Sequence, residues 1–293
     1  MLLSYLMEAK LMTKKYFTVY FSATAAVALA TRFFLQLSEI DPYTGFYYSN
    51  PVSASWAQGF LVLLLMGCLL AVLLVWRAKL PAAQPARLQT KLLGVSQIAL
   101  GLFAEIGAYF TAFSVAMAIF SGYRISLPDA LTSGLTILAG LVLIIMGLST
   151  LAGKQTGLVS AVIVIAWMSL TLITTFMQYP IVYNVSDNML HVLVLAAGTA
   201  FFVYYFKVLL GVGSRRDTAA AAALGLITAF FAAVLAIPRW YSLSTLGIHA
   251  FTPSVTNDDL WMVAILGLMG LLSAAALLWG TPPPAQADEA QED

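Results

Sequence analysis

Long apolar runs, interrupted by short clusters of charged, polar and proline residues, fill the chain from residue 16 to residue 280. A helix that crosses a bilayer needs about 20 mostly apolar residues. Eight segments meet that requirement: about 16–36, 55–76, 95–119, 130–152, 157–179, 188–211, 218–238 and 259–280. The pattern predicts an all-α fold, a polytopic transmembrane helical bundle over residues 1–280. The tail 281–293, three prolines followed by Asp288, Glu289, Glu292 and Asp293, is expected to be a disordered acidic segment, because it has too little apolar surface to offset the entropy of ordering.

Composition supports this class. Hydrophobic residues make up 61% of the 293 residues and charged ones 9%, with a mean hydropathy of +0.91, whereas soluble domains carry about 25% charged residues. The net charge of +1 contains no basic run, which argues against a nucleic-acid partner, since such binding depends on clustered Lys and Arg. The bilayer itself is the expected partner; protein partners are unspecified. Cys68 is the single cysteine, so an intrachain disulfide or a CxxC site is excluded.

Charge bears on orientation. Counted on alternate sides of the eight spans, eleven Lys and Arg fall on the side holding both termini (Lys10, Lys14, Lys15, Arg77, Lys79, Arg87, Lys91, Lys154, Lys207, Arg215, Arg216). Arg32, Arg124 and Arg239 fall on the other. The positive-inside rule then puts both termini in the cytoplasm and the chain in a cell membrane as a multi-pass protein. Lys14 and Lys15 precede an apolar stretch as in a signal peptide, but no A-x-A site follows, and the stretch is expected to be retained as the first span. Met12 offers an alternative start to Met1. Five of the six tryptophans, Trp56, Trp76, Trp240, Trp261 and Trp279, sit at predicted span ends, where the headgroup zone favours them.

Glu105 is the only charged residue between Leu92 and Tyr123, and a carboxyl at that depth is expensive unless protonated, paired or hydrated. It borders a stripe of small residues, Gly101, Ala104, Ala108, Ala112 and Ala116, suited to close helix approach. Gln97 and Tyr109 lie on nearly the same face. By depth at 1.5 Å per residue, Lys207 is the preferred partner of Glu105 and Arg32 is too near the opposite end. Two readings stand: a functional carboxyl that exchanges a proton during transport, or a protonated side chain with a local hydrogen bond while Lys207 snorkels to the surface.

The external face carries other candidates. Asp41-Pro42-Tyr43-Thr44-Gly45 has the composition of a tight turn, followed by aromatic residues 46–48. Asp187 and His191, four apart and on one helix face, accompany Gln178, Tyr179, Tyr183 and Asn184 near the same surface, and Thr171, Thr174 and Thr175 give the fifth span a polar outer half. Arg32, Asp41, Gln178, Asp187 and His191 are the external binding candidates. No Walker A loop, HExxH pair or Gly-x-Ser-Gly nucleophile is present, so no catalytic residue, metal site or cofactor is nominated.

The first span ending in Arg32, followed by Asp41-Pro42-Tyr43-Thr44-Gly45-Phe46, resembles uncharacterised bacterial polytopic integral membrane proteins with a DPxTGF-like turn in that loop. The resemblance covers under a tenth of the chain and implies no activity. The leading expectation is a small-molecule or ion permease using Glu105. The alternative is a sensor or scaffold acting through the external aromatic loops and the acidic tail, with an enzyme third.

Overall fold

The computed structural model describes residues 2–40, 47–82, 85–121, 127–178, 186–246 and 257–280. They form α1 (Leu2–Phe34), a π-helical turn (Leu35–Glu39), α2 (Pro51–Ala78), α3 (Pro85–Leu88), α4 (Lys91–Phe120), α5 (Leu127–Leu151), α6 (Leu158–Gln178), α7 (Ser186–Leu209), α8 (Arg215–Leu246) and α9 (Asn257–Trp279). All but α3 contain a stretch long and apolar enough to cross a membrane, eight in total. The chain is thus an all-helical, multi-pass membrane protein. Only helices satisfy every backbone group within one segment in lipid, and the apolar runs have the length to do so.

Two boundaries differ from the sequence expectation. Helix α1 begins at Leu2, so the residues ahead of the first span continue its helix. Helix α8 runs through Pro238 to Leu246, where the apolar run alone suggested a stop. Proline removes one N–H, here the helical donor to the Val234 carbonyl, but is tolerated inside membrane helices packed among neighbours; one turn on, the Ser242 hydroxyl donates to the Pro238 carbonyl at 3.0 Å, an ordinary helical back-bond. The continuation turns Arg239 from a loop residue into a helical one.

Glycines set the closest helix approaches. In the antiparallel α4/α5 pair, a Cβ added at Gly94 would lie 3.0 Å from the Gly147 carbonyl oxygen, and one at Gly101 would lie 2.6 Å from that of Gly140. The sevenfold spacing on both helices keeps the two contacts on one seam, the close packing that small residues permit in lipid. Gly225 of α8 and Gly270 of α9 repeat the arrangement, each approaching the other's carbonyl oxygen. Helix α8 also packs on α1, α2 and α7 and carries a long series of buried residues, among them Leu226, Phe230, Val234 and Leu235. It is the central helix. Exposed side chains such as Leu65, Leu69, Phe113, Ile145 and Phe176 form the apolar exterior expected of a lipid-facing surface.

Candidate functional site

Arg32 lies near the end of α1, where it widens into the π-helical turn. Only 1% of its surface is exposed, although a guanidinium is almost never buried unless paired. Its partner is Asp187 in the first turn of α7, where the positive end of the helix dipole also favours a carboxylate. Arg239 of α8, 3% exposed, approaches the second oxygen of the same carboxylate, with its Nη1 3.7 Å from Asp187 Oδ2. One carboxylate therefore serves two arginines from two other helices. The Arg32 guanidinium also lies 5.9 Å from the centroid of the Phe60 ring on α2.

A second layer surrounds this triad. His191, one turn along α7 from Asp187, is buried and within electrostatic reach of both Asp187 and Asp259 at the start of α9. Gln36, one turn beyond Arg32, is 5% exposed, yet among the described residues neither its amide nitrogen nor its amide oxygen has a hydrogen-bond partner. Below the site the chain is fastened: Ser53 of α2 donates to the Glu39 carboxylate, and the Tyr48 N–H donates to the Glu39 carbonyl at 3.0 Å. Ile40 and Tyr47 pair as an antiparallel bridge on either side of the DPYTGF turn. Asp41 and the rest of that turn lie outside the described residues, as do the side chain of Gln178 and residues Tyr179, Tyr183 and Asn184. On α6 the Thr174 hydroxyl is spent on the Leu170 carbonyl at 2.9 Å, the usual fate of a helical threonine.

The intramembrane candidates are separated from one another. Lys207 pairs with Asp217 at 3.1 Å, its side chain 47% exposed, and does not partner Glu105. Depth alone suggested the pairing, but direction forbids it. Tyr205, two residues earlier on α7, is fully buried, and two residues amount to about 200° around a helix, so Lys207 points the opposite way. The expected line Gln97–Glu105–Tyr109 also divides, because twelve residues from Gln97 to Tyr109 accumulate about 120° of rotation. Gln97 is fully buried, donating to the Tyr205 hydroxyl at 2.8 Å and accepting from Thr150 at 3.0 Å. Tyr109 is 69% exposed on the lipid side. Glu105 lies between them, half-buried on the α4/α5 seam. A Cβ at Gly140 would lie 3.0 Å from its Cδ and Cγ, so the carboxyl occupies the space that glycine leaves open. Its Oε1 is buried without a hydrogen-bond partner.

Sequence reasoning nominated Arg32 apart from the Asp187–His191 pair and missed Arg239. The available signal was an arginine directly after the proline of an apolar run, which only the continued helix makes significant. Among the described residues, no three His, Cys, Asp or Glu side chains come together as metal ligands.

The chain matches no protein-family model, no curated protein and no solved structure.

Proposed function

We propose that this multi-pass membrane protein is a permease for a small anionic solute, and that the solute is recognised at the Arg32–Asp187–Arg239 cluster and not at Glu105. The observation that carries the reading is the sharing of one buried carboxylate by two arginines beside Gln36, whose amide is buried and unpartnered. Two guanidiniums present planar forks whose geometry matches carboxylate or phosphate. Intramembrane charge of this kind is a functional-site hypothesis by default. His191, between Asp187 and Asp259, supplies a titratable group through which a proton can accompany the anion.

The test has two stages. Purified protein is heated with mono- and dicarboxylates and with inorganic phosphate, each at about 1 mM, the upper end of usual substrate affinities; at least one anion is expected to raise the melting temperature of the wild type and not of Arg239→Gln. That anion is then offered to proteoliposomes, where wild-type protein accelerates its entry and Arg239→Gln does not. Stabilisation without uptake would make the protein a receptor and overturn the transport reading. No stabilisation by any of the anions would remove the cluster as a binding site.

A further inference from the structure

At the end of the bundle opposite the Arg32 cluster, α2 stops and α8 starts beside a cleft of about 620 Å³. Its lining includes Trp76, Arg77, Lys79, Leu80, Arg215 and Arg216. All four cations are exposed, and among the described residues none of them makes an ion pair. The neighbouring acid, Asp217, is already engaged: it accepts from the Ser214 N–H at 2.7 Å and hydroxyl at 2.6 Å, and from Lys207 at 3.1 Å. The cleft thus concentrates positive charge that nothing in its walls neutralises. Local geometry holds the charges together. Lys79 takes a left-handed conformation, with φ of 48°, to end α2, Arg77 stands 5.4 Å from the Trp76 ring, and the Ser214–Asp217 cap fixes the first turn of α8.

The exposed face of α2 that leads to the cleft at Trp76 points to its occupant. Leu65, Leu69, Val72 and Trp76 are all exposed and recur every three or four residues, forming one apolar stripe along α2 that ends at the cations. At 1.5 Å per residue the stripe is about 16 Å long, about half the thickness of a hydrocarbon core. A free anion has no use for such a stripe; a lipid needs both parts. We infer that this cleft is a binding site for an anionic phospholipid, its phosphate headgroup held by Arg77, Lys79, Arg215 and Arg216 and an acyl chain lying along the α2 stripe. The basic-residue count assigns this end to the cytoplasmic leaflet, where anionic lipids attract basic pockets between helices. A cleft of this volume falls in the range of small-ligand sites.

Full-length protein in mixed phosphatidylglycerol and phosphatidylcholine vesicles tests the site, with one lipid or the other carrying brominated chains that quench tryptophan. The Trp76 signal is the difference between wild type and Trp76→Phe. Each near-surface cation is worth about fivefold in affinity for an anionic surface, so brominated phosphatidylglycerol is expected to quench Trp76 at least about fivefold more effectively than brominated phosphatidylcholine. The preference should disappear in the quadruple variant R77Q/K79Q/R215Q/R216Q, whose exposed positions leave the fold intact by gel filtration. Equal quenching by the two lipids, or a preference that survives in the quadruple variant, would overturn the inference. So would loss of the preference on adding inorganic phosphate, which would assign the cleft to a free anion. A preference seen only after deletion of residues 281–293 would also overturn it, by making the acidic tail the occupant.

Discussion

Replacing Asp187 with Asn removes the one carboxylate that two buried arginines share, at almost unchanged volume. The Arg239–Asp187 attraction at 3.7 Å amounts to about 4.5 kcal/mol at an effective dielectric of about 20, and the Arg32 contact is closer still. Desolvation offsets much of this gain in the intact cluster, but removing one partner leaves the others buried and unmatched, which costs about 3–5 kcal/mol. Asp187→Asn is therefore expected to lose about that much stability in denaturant titrations of the detergent-solubilised protein followed by tryptophan fluorescence. The decisive comparison is Arg32→Gln in both backgrounds. In the wild type it also destabilises, whereas in Asp187→Asn it removes a buried cation that has lost this carboxylate and restores at least about 1 kcal/mol, a coupling of the size seen for residues in one network. If Asp187→Asn costs less than about 1 kcal/mol, or if the second substitution adds its full penalty, the three side chains do not form one electrostatic unit and the argument from shared charge fails.

Two further outcomes follow from the packing. Gly140→Ala places a methyl 2.5 Å from the Glu105 Oε1 and should cost about 1–3 kcal/mol, as overpacking does; Glu105→Ala should relieve most of that cost, and a penalty unchanged in the double variant, measured by the same titration, would show that Glu105 does not fill the seam. Gln97→Leu strips the Tyr205 and Thr150 hydroxyls of their common partner and should cost about 1–3 kcal/mol, whereas a neutral effect would mean that water or another group replaces the amide.

What could be read from the chain was what depends on position along a single axis. Hydropathy and length located eight spans, because crossing a bilayer constrains one dimension, and the termini of α5, α6 and α9 fall close to the expected limits. Depth likewise placed Arg32 away from Glu105. Rotation about the helix axis was the missing coordinate. Lys207 has the right depth for Glu105 and the wrong azimuth, and Gln97 and Tyr109 end on different faces of α4 although their spacing suggested a common line. Arg239 was hidden for another reason: Pro238 usually ends a helix in water, and only the surrounding bundle lets α8 continue and turn the next residue inward. The external candidates Arg32, Asp187 and His191 were legible as residue types, but their convergence depends on which helices are neighbours, which hydropathy does not encode.

The Arg32–Asp187 pair also has a history in time. The two residues are 155 positions apart, and a ribosome adding about 5–20 residues per second needs roughly 8 to 30 s to travel between them. During that interval the first helix holds an arginine whose counter-ion has not been synthesised. Insertion scales put the penalty for an arginine at about 2.5–3.5 kcal/mol even at the helix centre, and less near the end, where Arg32 can reach the interface. The first helix can therefore enter the bilayer alone, but its cation remains provisional until α7 and α8 arrive. Any event that delays those helices prolongs a nascent state with one stranded charge, which makes the late-emerging half of the chain the step that commits the early half to its final place.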